Sequence, residues 1–168
     1  SEALAGKPEH RFRLSTNYRN SAEVYDLAAK VVAYAVPDAD LADAVRRTGF
    51  EPEHVVVPEP ELEASLVDAV RRMLDDVEGS VAVVAARAEL EWLAVPLADL
   101  LAEHEGRLRL LDGLDTKGLE FDGVVAVEPD AIVAESSAGW RTLYVVLTRA
   151  TQRLTTVATS DAWRARLG

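Results

Sequence analysis

Val81-Ala82-Val83-Val84-Ala85 is apolar at every position. A strand with one face in water alternates polar and apolar residues, whereas a run without alternation has to be covered on both faces. Such a strand belongs inside a parallel sheet. Parallel neighbours need crossover connections, and those connections place helices above and below the sheet.

The rest of the chain fits that demand. Residues 12–14 are expected to form a short strand. Ser21, with Glu23 following, is placed to cap a helix whose apolar positions Val24, Leu27, Ala28, Val31 and Val32 share one face, and Pro37 ends it. A short helix over 41–47, a strand over 54–57 and an amphipathic helix over 61–77 follow, the last with Leu62, Leu66, Val70, Met73 and Leu74 inward. After the 81–85 strand the patterns predict a helix over 89–103, strands over 107–111 and 123–127, a helix over 139–150 and a strand over 153–158. Ser160 or Asp161 then starts a last short helix. The expected fold class is α/β, a doubly wound and mainly parallel sheet with helices on both faces and right-handed crossovers.

At 168 residues the chain is one domain, long enough to bury most of its apolar surface unaided. It has no cysteine, which removes disulfides and thiolate metal sites and fits a reducing, cytoplasmic location. No apolar stretch has the length of a membrane span, so no membrane partner is expected. The first residue is Ser1, close to the first expected strand, which suggests a fragment of a longer protein. Net charge is −11, and residues 36–78 hold 12 acidic side chains against 4 basic ones. That surface repels phosphate backbones, so nucleic-acid binding by the domain alone is expected to be weak or absent. His10, His54 and His104 are scattered without ligand spacing, and no phosphate-binding loop or nucleophile elbow is present.

Three segments carry candidate chemistry. Leu143-Tyr144-Val145-Val146-Leu147-Thr148-Arg149-Ala150 ends an apolar run on an arginine. Asn17-Tyr18-Arg19-Asn20-Ser21 has a similar arginine far upstream, and Lys117-Gly118-Leu119-Glu120-Phe121-Asp122 lies between. A guanidinium is permanently charged and forks paired donors toward an oxyanion, so an arginine held by an ordered segment suits a triphosphate better than lysine does. The loops 17–20 and 112–118 both follow expected strands and could share the face beyond their carboxyl ends, where ligands of such sheets sit.

In that order, Leu14-Ser15-Thr16-Asn17-Tyr18-Arg19-Asn20-Ser21, Lys117 to Asp122 and Leu143 to Ala150 resemble motifs IV, V and VI of superfamily 1 helicases of the UvrD and Rep type. The resemblance covers essentially the whole chain and implies a single RecA-like domain over residues 1–168, the C-terminal, second motor domain of that family. It implies that Arg19 and Arg149 are arginine fingers for the γ-phosphoryl group of ATP. Tyr18 would stack on the adenine, Glu120 would bond the ribose, and Lys117 and Gly118 would shape the loop beside it. Magnesium ligands and the phosphate loop would come from a missing N-terminal domain. The isolated chain is then expected to be inactive and its full-length parent to hydrolyse ATP.

Departures from the pattern refine this expectation. The family usually carries Thr-x-His before the Lys-Gly-Leu-Glu; here Asp112-Gly113-Leu114-Asp115-Thr116 fills that space, with Leu114 at the histidine position. Acidic residues common before motif VI are absent, with Ala138 and Gly139 near their place. The 95 residues between Ser21 and Lys117 read as core elements, which leaves no room for the large helical insertion of UvrD and Rep. These features look more like the HelD branch, which resembles the helicases but binds RNA polymerase and releases it from nucleic acid. The alternatives are a DNA helicase of repair or replication and a non-catalytic interaction domain.

Overall fold

The computed structural model describes residues 14–17, 21–35, 41–44 and 51–167. Strands β1 (Leu14–Asn17) and β2 (Leu41–Ala44) pair in parallel, with Leu14 opposite Leu41. Between them runs α1 (Ala22–Ala35), whose first turn is closed by the Ser21 hydroxyl accepting from the Val24 amide at 3.2 Å. Val24, Ala28 and Val31 are buried and Leu27 is partly so, as their spacing predicts. Residues 12 and 13, Pro37 and the side chain of Val32 lie outside the described residues.

The helix expected over 41–47 is not formed at its start, since residues 41–44 are strand β2. A four-residue stretch gains little from a lone helical turn, whose nucleation is costly, and here β1 satisfies its backbone instead.

The main sheet has five strands: β3 (Glu53–Val56), β4 (Val81–Ala85), β5 (Leu108–Asp112), β6 (Phe121–Val127) and β7 (Ala150–Ala158). Their spatial order is β3-β7-β6-β4-β5, and every pairing is parallel. All five residues of β4 are buried. Ala82 and Val84 face one side, with α1, α5 (Pro129–Ala134), α6 (Gly139–Leu147) and α7 (Ala162–Ala165). Val81, Val83 and Ala85 face the other, with α2 (Leu62–Asp76), α3 (Leu90–Leu93) and α4 (Ala98–Glu103). The fold is therefore α/β and doubly wound, as the unbroken apolar run requires.

Packing rather than charge holds α2. Leu66, Val70 and Met73 are buried against the sheet, each such side chain stabilising by about 1.5–3 kcal/mol. The exposed Arg72 to Asp68 pair on the same helix is of a type that adds only about 0.3–0.5 kcal/mol. The continuous helix expected over 89–103 is instead a 3₁₀ turn (Arg87–Glu89), α3 and α4, with a break between the last two. Pro96 sits in that break; it has no amide proton, and its ring would collide with the carbonyl of Trp92 in a continuous helix. Helix α5 has no counterpart among the expected elements. No helix of the described residues is long and apolar enough to cross a membrane.

Candidate functional site

Phe121 opens β6 and pairs with Ala150, which opens β7. The residues just before these strands, 117–120 and 148–149, thus meet at the amino edge of the sheet. The Phe121 amide donates to the Arg149 carbonyl at 2.8 Å, and the Arg149 side chain answers through Nη1, which donates to the Leu119 carbonyl at 3.0 Å. Two of the three candidate segments form one hydrogen-bonded unit.

The guanidinium is held at two further points. Arg149 Nε donates to the Val145 carbonyl in the last turn of α6 at 2.9 Å, and Nη2 donates to Thr148 Oγ1 at 3.1 Å. The Thr148 hydroxyl in turn lies 3.0 Å from each of the Tyr144 and Val145 carbonyls. Arginine and threonine together bond the Val145 carbonyl, the Tyr144 carbonyl also accepts from the Thr148 amide at 3.1 Å, and the positive charge lies at the negative end of the helix dipole. Arg149 is half-buried. Beneath it, burial pushes the Tyr144 phenol above its ordinary pKa, with the Tyr25 hydroxyl acting in the same direction and Arg149 opposing both.

Gly118 has φ +83°, a left-handed conformation that only glycine adopts without strain, and it turns the chain into Leu119. Lys117 and Glu120 are exposed on either side of this turn. Tyr18 and Arg19 lie outside the described residues, between Asn17 at the end of β1 and Ser21 at the cap of α1.

Of the two loops expected to share a face beyond the strands' carboxyl ends, residues 18–20 lie outside the described residues, and only the start of the 112–118 loop lies at such an end. Asp112 ends β5 at that edge, buried, accepting from the Asp115 amide at 2.8 Å and paired with Arg87 at 2.9 Å. The loop then crosses to the opposite edge, because the next strand is parallel and must begin there. Lys117, Gly118 and Glu120 are consequently grouped with Arg149 and not with Asp112. Leu114 is 69% exposed on the way. Gly139 is buried where α5 and α6 meet; a Cβ there would strike the Val133 carbonyl. Thr148 is not among the residues expected at the site, although a threonine beside Arg149 at a helix end is placed for side-chain bonding to helix carbonyls.

A cation, an exposed ammonium and an exposed carboxylate at one edge are donors and acceptors that fit a triphosphate and a ribose hydroxyl. Among the described residues no group of three or more His, Cys, Asp or Glu side chains could hold a metal ion.

No family model matches the chain, and no curated protein does. Among solved structures the chain resembles the C-terminal domain of a possible DNA helicase from Lactobacillus plantarum WCFS1. The two share 24% identity with a TM-score of 0.61, over 84% of this chain and 87% of that one. The likeness shows that the two domains share one α/β fold.

Proposed function

We propose that this chain is the second RecA-like domain of a superfamily 1 helicase-like ATPase and works at the edge of an ATP site held mainly by an N-terminal P-loop domain. The observation that supports this reading best is the Arg149 to Leu119 hydrogen bond, which joins the two motif-like segments beside the exposed Lys117 and Glu120. In this reading Arg149 and Arg19 are arginine fingers, Tyr18 stacks on the adenine, Glu120 bonds the ribose, and Lys117 and Gly118 shape the contact loop. ATP with magnesium supplies the γ-phosphoryl group and part of the charge neutralisation, with the metal's ligands on the other domain. Electrostatic stabilisation of that group is the chief task left to the protein.

For the parent's target we favour a HelD-like factor that binds RNA polymerase and releases it from nucleic acid. Two features support this. Residues 51–112 supply β3, β4, β5 and α2 to α4 of the core rather than a helical insertion, and Leu114 presents an exposed apolar side chain where the family carries histidine. A cytoplasmic location accompanies this role. The second reading, a DNA translocase of the UvrD and Rep type, is favoured by the neighbour described as a possible DNA helicase.

ATP turnover by the full-length protein tests the motor role. Arg149→Ala is expected to reduce kcat at least a hundredfold, about 3 kcal/mol of transition-state stabilisation, while ATP still binds. A variant retaining more than half of wild-type turnover removes Arg149 from catalysis. Retention of core RNA polymerase by the full-length protein after nuclease treatment supports the HelD-like target; recovery of nuclease-sensitive DNA alone supports the translocase.

A further inference from the structure

The Thr148 hydroxyl has one proton and two carbonyls within 3.0 Å, those of Tyr144 and Val145 in the closing turn of α6. Its proton is therefore directed at the helix, which leaves its lone pairs to accept from Arg149 Nη2 at 3.1 Å. Thr148 is 5% exposed, so water competes poorly for either bond. The residue acts as an adaptor between the helix end and the guanidinium. Val145 O and Leu119 O hold Nε and Nη1, and Thr148 fixes the third nitrogen. Among the described residues these tethers, one on each guanidinium nitrogen, constrain the direction in which its charge is presented.

Resting on the function proposed above, we propose that Thr148 is the positioning residue for Arg149, its hydroxyl fixing the plane of the guanidinium so that it meets the phosphoryl group without reorganising. Preorganised donors act because they need no reorientation when charge develops. A pivoting guanidinium would still attract ATP but would stabilise the transition state less, so the effect falls on kcat and spares KM. Hydrogen bonds to a charged group are stronger than neutral ones, and losing the Thr148 tether is expected to reduce kcat on the order of tenfold.

Thr148→Val preserves shape and removes the hydroxyl; Thr148→Ser keeps the hydroxyl. In the full-length protein the valine variant is expected to lose about tenfold in kcat with KM within about twofold, and the serine variant to stay near wild type. In an Arg149→Ala background, Thr148→Val should cost nothing more, because a residue acting through another has no effect once that other is gone. Full kcat in Thr148→Val, a loss carried by KM, or an undiminished further loss in the Arg149→Ala background each overturns the proposal. A second readout is independent of ATP. In protein labelled with ¹⁵N-arginine, Arg149 should show separate, slowly averaging Nη signals in wild type and Thr148→Ser that coalesce in Thr148→Val. Unchanged signals in the valine variant overturn the tether itself. Intact tether behaviour together with full turnover in Arg149→Ala would instead reject the catalytic reading of this edge.

Discussion

Arg107 Nε donates to the Gly79 carbonyl at 2.8 Å, which ties the residue leading into β5 to the turn that follows α2. The same side chain reaches the Leu74 carbonyl through Nη2 at 2.7 Å and also meets the Val77 carbonyl. One guanidinium thus closes the C-terminal end of α2 and sets the turn before β4.

Arg107→Lys keeps the charge but lacks the fork, and Arg107→Ala lacks both. Since the carbonyls left behind are partly screened from water, each unmade bond costs about 1–3 kcal/mol. Urea denaturation should show a loss of at least about 2 kcal/mol in the alanine variant, with lysine recovering less than half of it. Wild-type stability in Arg107→Lys would show that a point charge suffices.

Gly139 and Gly123 are expected to respond differently to alanine. At Gly139 the added carbon meets the Val133 main chain, which cannot move without shifting α5, whereas at Gly123 it meets the flexible Met73 side chain. Overpacking of the first kind costs about 1–3 kcal/mol, more than the helix propensity gained from alanine. Thermal denaturation should rank Gly139→Ala below Gly123→Ala, and the reverse order would contradict the close crossing of α5 and α6.

Gly118→Ala meets no neighbour within 4 Å, so its cost is conformational alone. Holding an L residue in the left-handed region costs roughly 1–2 kcal/mol, and asparagine tolerates that region better. Calorimetry should therefore find Gly118→Asn more stable than Gly118→Ala. If alanine equals wild type, the turn into Leu119 does not depend on the left-handed conformation.

His54 donates or accepts at Thr156 Oγ1 over 2.7 Å and stands edge-on to Trp163, with ring centroids 5.8 Å apart. Burial first, and then the Arg164 charge, lower its pKa from 6.5 to about 4 against the pull of Asp161 and Glu53. The folded state thus binds fewer protons than the unfolded one between these values. The stability this confers is complete above pH 6.5 and is lost as pH falls toward 4. The urea midpoint of wild type should fall relative to that of His54→Phe as pH drops through that window, since only wild type carries the group; parallel pH profiles would refute the shift.

Much of this was legible in the sequence because burial on two faces leaves a periodic record. The β4 run, the inward face of α2 and the Ser21 cap are local patterns, and each is found where its residues place it. The misses are where a non-local partner or a single residue overrides the pattern. Residues 41–44 pair with β1, and Pro96 breaks a helix whose apolar spacing runs straight through it. At the candidate site the motif order singles out Lys117, Gly118, Glu120 and Arg149 as candidates, and the structure groups them at one edge, but spacing along the chain gives no hint that Arg149 Nη1 bonds a main-chain oxygen. Carbonyls carry no side-chain signature.

Strand β7 lies between β3 and β6, and among the described strands β3 pairs with it alone. His54 and Thr156, opposite each other in that pair, are 102 positions apart. During synthesis β3 leaves the ribosome long before its partner exists, so it must wait unpaired while β4, β5 and β6 are made. Helix α2 has local backbone hydrogen bonds, but its apolar face packs on β4, β6 and β7 and gains its full cover only when the late strand arrives. Assembly of this domain is therefore timed by its last strand, and a pause or truncation before residue 150 would leave β3 without a neighbour and the nascent chain exposed to aggregation.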